Sequence, residues 1–212
     1  SFLIYKSLAH FFLVKFKKLF YLRIYWELLY LWINFKHIEN MINEVIKKNG
    51  ITYGLIIGIV ACLSQTLTYV GGAAIYKSTV YGILIGLIFW GIRIYQAITT
   101  KKQLGNTISL KDSFTTLLIS TSIGILISIT FSFVLYNFIA PEFKPEMNTF
   151  MNSKQLELLK AMGKSSSELN ELLKNDNFSI INLLKGGLFS IVVSSIFNLI
   201  VSAIIKSKPL QQ

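Results

Sequence analysis

FTTLLISTSIGILISITFSFVLYNFI, Phe114 to Ile139, contains no Asp, Glu, Lys, Arg or His. About 20 apolar residues in a helix cross the hydrocarbon core of a bilayer, so this run is long enough to span. Three further stretches repeat the pattern: Ile51 to Val70, Thr79 to Ile98, and Gly186 to Ile205 within a span expected over about 181–205. Arg93 is the only formal charge inside the four stretches quoted. The expected fold class is all-α: a polytopic membrane protein built as a four-helix transmembrane bundle. Because these stretches lack Asp, Glu and His, they offer no proton relay and no metal cage.

Composition agrees. Hydrophobic residues make up 53% of the 212 and charged residues only 15%, which leaves no room for a separate soluble domain. A net charge of +11 raises the question of nucleic acid. No basic helix, zinc-finger spacing or aromatic RNA-binding signature accompanies it, and lysines flanking membrane spans account for the excess. Cys62, the single cysteine, lies in the first span, so neither an intramolecular disulfide nor a multi-cysteine metal site can form. No cofactor is expected.

Residues 1–40 read differently from the rest. They hold 12 of the 29 aromatics (six Phe, four Tyr, two Trp), both histidines and none of the 13 glycines, which marks a compositional break. Two readings stay open for this aromatic and basic extension. Met41 is the true initiator and the preceding text is upstream sequence translated in frame, or residues 1–40 are genuine. In the second case Lys15, Lys17 and Lys18 split two apolar runs, and Leu19 to Phe35, with Arg23 and Glu27 four residues apart, forms an interfacial helix or an extra span. His10 and His37 have no partner ligand at helical spacing and are read as surface or interfacial residues.

Charge sets the expected topology of residues 41–212. Lys47 and Lys48 precede the first span, Lys101, Lys102 and Lys111 follow the second, and Lys206 and Lys208 follow the fourth. The positive-inside rule places these segments, and both ends of the unit, in the cytoplasm. The other side then receives the turn Gly71 to Ser78 and the connection of residues 140–178. That connection reads as an extracytoplasmic helical hairpin. Leu156, Leu159 and Met162 share one face of a helix from Ser153 that ends at Gly163, and Ser165 with Glu168 has capping-box spacing for a second helix bearing Leu169, Leu172 and Leu173. Pro141 and Pro145 fit the exit from the third span.

Small residues recur every four positions in all four spans: Gly50, Gly54 and Gly58; Gly82 and Gly86; Ser120, Gly124, Ser128 and Ser132; Gly186, Ser190, Ser194, Asn198 and Ser202. Such stripes let helix backbones approach closely where lipid supplies no hydrophobic drive, and they are expected to be the packing faces. Asn198 needs a partner in hydrocarbon, so an interhelical hydrogen bond is expected. The competing role is a polar lining shared with Gln65, Gln96 and Asn137. Arg93 lies near the cytoplasmic end of its span and is expected to snorkel to the headgroups as a membrane anchor.

From Met41 onward the chain resembles a bacterial membrane family, found mainly in Bacteroidota, known as the domain of unknown function number forty-one ninety-nine. The resemblance is carried by Tyr53-Gly54-Leu55-Ile56, by Ser109-Leu110-Lys111-Asp112-Ser113-Phe114, and by Tyr136-Asn137-Phe138-Ile139-Ala140-Pro141-Glu142-Phe143. Met162-Gly163 before a serine-rich helix start and the ending Ala203-Ile204-Ile205-Lys206-Ser207-Lys208-Pro209 also fit. It implies four spans and an extracytoplasmic helical insert, and it carries no activity. Ala140 stands where the family pattern often has Asp, which weakens any role for a carboxylate there.

The expected function is that of a non-enzymatic inner-membrane scaffold or accessory subunit acting through helix packing and the outer hairpin. Its partners are the bilayer and either an envelope protein or further copies of itself. The alternative is a small transporter or channel component with a polar intramembrane path. Enzymatic work would fall to loop carboxylates such as Asp112, Glu142 or Glu146, none paired with a nucleophile.

Overall fold

The computed structural model describes residues 23, 30, 42–161, 163 and 175–207. Two compact units divide at residues 43 and 44. Of the first, Arg23 and Tyr30 are helical and exposed. The expectations for the rest of the aromatic extension, for the second outer helix after Ser165 and for Lys208 fall outside the described residues.

The second unit is helical: α1 (Glu44–Tyr76), α2 (Thr79–Gln103), α3 (Leu110–Val134), α4 (Lys144–Ala161) and α5 (Ile180–Ile205). Four segments are long and apolar enough to cross a membrane: Glu44–Gly72, Thr79–Gln103, Leu110–Ile139 and Ile180–Ile205. Their outward surfaces carry exposed Leu, Ile, Val and Phe all along their length, such as Leu87, Leu188, Phe189 and Ile196, which suits lipid and not water. The chain is a multi-pass membrane protein of all-helical fold.

Each span starts where its sequence offers a cap or a charge. Ser78, Ser109 and Ser179 sit in extended conformation before α2, α3 and α5, and their hydroxyls accept from the N–H groups of Tyr81, Asp112 and Asn182. Ser109 also donates to the Asp112 carboxylate at 2.8 Å. The spans run further than their apolar cores alone indicate. α1 is interrupted within the expected turn, where Gly72 takes the non-helical φ 65°, ψ −164° that glycine tolerates, and a short further helical segment runs on to Tyr76. At the same end of the bundle α3 passes into a π-helical turn, Leu135–Ile139, closed by Ala140 N–H donating to Leu135 O at 2.7 Å. α4 begins at Lys144, about two and a half turns before the expected Ser153, since Pro145 in a first turn forfeits no intrahelical bond. Gly163 beyond it has φ 75°.

α3 is the central helix, packed along α1 on one side and α5 on the other, with α2 touching all three. Gly50, Gly54 and Gly58 lie against Ile119, Ile123 and Ile127: a Cβ added at these glycines would come within 2.6 to 2.8 Å of an isoleucine side chain. Gly124 lies in the same way against Ile57. On α5 the close approach belongs to Gly187, facing Ile125 and Ile129, whereas Gly186 has open space around it. Gly82 and Gly86 likewise meet nothing within 4 Å. The stripe of small residues is therefore a packing face on α1 and α3. On α5 Asn198 and Ser202 of the stripe are fully buried but Gly187 replaces Gly186 at the close approach, and on α2 the stripe faces away from the bundle. One residue turns a helix by about 100°, which suffices to move a glycine off its interface.

Candidate functional site

Between the four spans lies a cavity of about 390 Å³. α1 contributes Ser64 and Gln65, α2 Phe89 and Arg93, α3 Gly124 and Ser128, and α5 Ser190 and Ser194. It forms where Ser64, Ser128, Ser190 and Ser194 leave room that larger residues would fill. Ile57 and Ile125 supply apolar wall. Gln65 donates to Ser128 Oγ at 3.0 Å and accepts from Ser132 Oγ at 2.5 Å, bridging α1 and α3. Arg93 Nη2 donates to Ser194 Oγ at 3.4 Å, while Nε is buried and without a hydrogen-bond partner among the described residues.

Arg93 thus lies inside the bundle and does not act as the headgroup anchor expected for it. α2 extends to Gln103, so Arg93 is about 15 Å from the end of its helix and about 21 Å from the start at 1.5 Å per residue. Seated beside Ser194, which α5 holds near its own centre, the guanidinium is close to the middle of the membrane, where a charge costs several kcal/mol unless it is compensated. No Asp or Glu occurs in 45–111, 113–141 or 177–212, so the spans supply no carboxylate to compensate it.

On the lysine-rich side of the cavity a sealed polar network begins. Gln96, fully buried, donates to Thr116 O at 2.9 Å and to Thr116 Oγ1 at 3.3 Å, and accepts from Ser120 Oγ at 2.8 Å. Thr116 donates to Ile46 O at 3.1 Å; Asn49 donates to Thr100 Oγ1 at 3.0 Å and to Gln103 Oε1 at 2.9 Å. Asn198 donates to Thr121 Oγ1 at 3.1 Å, tying α5 to α3. Asn198 Oδ1, Ser113 Oγ and Ser202 Oγ are buried with no partner among the described residues. A polar seam accordingly runs from Asn49 to Ser132 along the bundle interior. At this end Lys101 donates to Ile205 O at 2.9 Å, and Ser207 N–H donates to Ile108 O at 2.9 Å, closing the mouth.

At the opposite end an apolar plug closes the bundle. Leu135, Tyr136, Ala140, Met147 and Phe178 form one buried cluster, with the rings of Tyr136 and Phe178 at 4.0 Å. A clamp of asparagines holds α4 over it. Asn148 accepts from Asn177 N–H at 2.9 Å, Asn152 Oδ1 accepts from Asn177 at 2.6 Å, and Lys144 bridges Asn137 Oδ1 and Asp176 Oδ2 at 2.7 Å each. Burial tends to raise the Asp176 carboxyl, but hydrogen bonds from Lys144, Asn148 and the Phe178 N–H, with the charge of Lys144, outweigh it and hold the group below its usual range. A depressed folded pKa contributes stability that is complete above about pH 4 and lost as pH falls through the folded value. Protease protection of residues 140–178 is expected to decline on acidification below about pH 4, and Asp176→Asn is expected to flatten that dependence. Equal pH profiles for both proteins would refute this.

Of the residues singled out as polar lining, Gln65 reaches the cavity, Gln96 is sealed in the adjacent network, and Asn137 belongs to the clamp. Ser128, Ser190 and Ser194 line the cavity, Ser120, Asn198 and Ser202 lie buried in the seam, and Ser132 bonds to Gln65. Sequence reasoning passed over Asn49, Thr100, Thr116 and Thr121. The legible signal was Thr116-x₃-Ser120-x₃-Gly124, a polar extension of the α3 stripe at the same four-residue period. It also passed over the clamp, whose signal was Asn148 and Asn152 one turn apart together with Asn175-Asp176-Asn177 ahead of a serine cap.

No three His, Cys, Asp or Glu side chains cluster as a metal site among the described residues. No curated protein and no solved structure matches the chain. One family, described as Protein of unknown function (DUF4199), matches residues 52–207. That match takes in the cavity, the clamp and all four spans except the start of the first, which holds Ile46 and Asn49 of the seam, so the chain belongs to this family.

Proposed function

We propose that this chain is a small transporter component that holds a polar ligand between its spans. The observation that carries this reading is the mid-membrane cavity to which all four spans contribute and into which Arg93 projects. A cation and several hydroxyls in the middle of a bundle are expensive to maintain and usually mark a substrate path. The lysine-rich end is closed by Lys101 on Ile205 O and Ser207 on Ile108 O, and the apolar plug under α4 closes the other, so both ends are shut in this conformation while the seam from Asn49 supplies the polar groups that an opened path would expose. With Lys47, Lys48, Lys101, Lys102, Lys111 and Lys206 flanking one end, that mouth faces the cytoplasm of a bacterial inner membrane and α4 lies outside.

Water in the cavity tests this. A thiol alkylates as its thiolate, which dry hydrocarbon does not support. In a Cys62→Ser background reconstituted in bilayers, Ser194→Cys and Ser128→Cys are expected to react with N-ethylmaleimide, while Ile196→Cys on the lipid face stays unreacted. Silence at both cavity positions would exclude a hydrated site and with it the transporter reading.

A second reading, the scaffold or accessory subunit, is favoured by α2. Gly82 and Gly86 have open space around them, and a shallow groove beside them is floored by Trp90 and Gly91. Recovery of the chain alone from mild detergent would count against it.

A further inference from the structure

We infer that the cavity binds an oxyanion carried on an apolar body, an amphiphilic carboxylate or phosphate drawn from the membrane, with Arg93 as its counter-charge. This rests on the ligand-holding reading above and gives the ligand its chemistry. Three observations carry it. Arg93 is a cation near mid-membrane with no carboxylate available from any span, and its Nε–H is buried and has no hydrogen-bond partner among the described residues. A guanidinium presents N–H groups in a planar fork that fits two oxygens of a carboxylate or phosphate, so the orphaned donor and Nη2 form half of a bidentate site. The hydroxyl of Ser194, already in reach of Arg93, and that of Ser190 are free to donate to the same anion, because a hydroxyl can accept and donate at once.

The apolar body follows from the walls and the entrance. About 390 Å³ is far more than one anion with a water or two requires, a water taking about 30 Å³, and Ile57, Phe89 and Ile125 line the remainder. Ser190 is exposed on the flank of α5 at a level that hydrocarbon occupies. A ligand arriving there comes through lipid, from which a bare inorganic ion is excluded. Tail and headgroup are then divided as the cavity is divided, the anion toward Arg93 and the tail toward the isoleucines and the lipid.

The test uses the full chain in phosphatidylcholine nanodiscs, with binding read by native mass spectrometry. Dodecyl phosphate and dodecanoate are expected to form one-to-one adducts, and dodecanol, equal in tail but neutral, to bind roughly ten- to a hundred-fold more weakly, as charge-assisted hydrogen bonds require. Arg93→Gln is expected to lose that discrimination and Arg93→Lys to keep part of it. Equal binding of dodecanol by the wild-type chain would overturn the proposal without calling on any variant. Retention of inorganic phosphate as tightly as dodecyl phosphate would overturn the apolar body. Reactive cavity cysteines with no preference for anions would leave a hydrated site standing and remove the anion from it, so the two readings fail separately.

Discussion

Leucine at both Gly54 and Gly58 is expected to cost on the order of 5 kcal/mol, from overpacking of about 1–3 kcal/mol at each site with little room to relax. The reason is geometric. A Cβ at Gly54 would lie 2.8 Å from Ile123 Cβ and 3.2 Å from the Ser120 Cα, and at Gly58 it would lie 2.8 Å from Ile127 Cβ. These are atoms at the root of a β-branched side chain or in the backbone, so no rotamer change clears them and α1 must move away from α3. Separation also breaks the Gln65 bridge to Ser128 and Ser132. Loss of the folded species should appear as a lower midpoint in detergent-resistance or thermal-aggregation assays. Gly86→Leu, on the same motif but with nothing within 4 Å, is the control and is expected to change the midpoint little. If both variants behave alike, the stripe on α1 is not a packing face.

Phe178→Ala is expected to release α4 at a cost of about 3–5 kcal/mol, the range for deleting a buried phenylalanine. Phe178 is 5% exposed, stacks on Tyr136 and closes the cluster to which α4 contributes the fully buried Met147. Its N–H also donates to Asp176 at 3.0 Å, and its carbonyl accepts from Asn137 at 3.0 Å, so the side chain is seated by the clamp on both sides. Limited proteolysis should cut within residues 140–178 while circular dichroism of the spans is retained. Phe189→Ala, 70% exposed on α5, serves as the comparison and should leave the protease pattern unchanged. Loss of all helix in Phe178→Ala would mean that the bundle depends on the outer helix and cannot be separated from it.

The spans themselves were legible residue by residue. Phe114 to Ile139 had to be a membrane helix, because in hydrocarbon each backbone N–H and C=O must be satisfied within its own segment, and only a helix does this locally. The serine caps at 78, 109 and 179 could be read the same way, each acting on donors two or three residues away. Packing was partly legible: a four-residue glycine period marks a face that can pack, and on α1 it does. On α2 the same period marks a face that does not, since nothing local distinguishes an approached glycine from an open one.

Arg93 shows the limit most plainly. Its distance from the end of an apolar run suggested a side chain that escapes to the headgroups, but the helix continues past that run to Gln103 and turns the guanidinium toward Ser194. The amino-acid sequence by itself determined that there are four membrane-crossing helices and which residue types could pack or carry charge. The tertiary structure alone decided which glycines are pressed by isoleucines, that Gln96 is sealed while Gln65 borders a cavity, and that Arg93 points inward. Helix formation in lipid is settled within a segment by hydropathy and backbone hydrogen bonds. The direction a side chain faces depends on rotation about the helix axis, and only the neighbouring helices set that rotation.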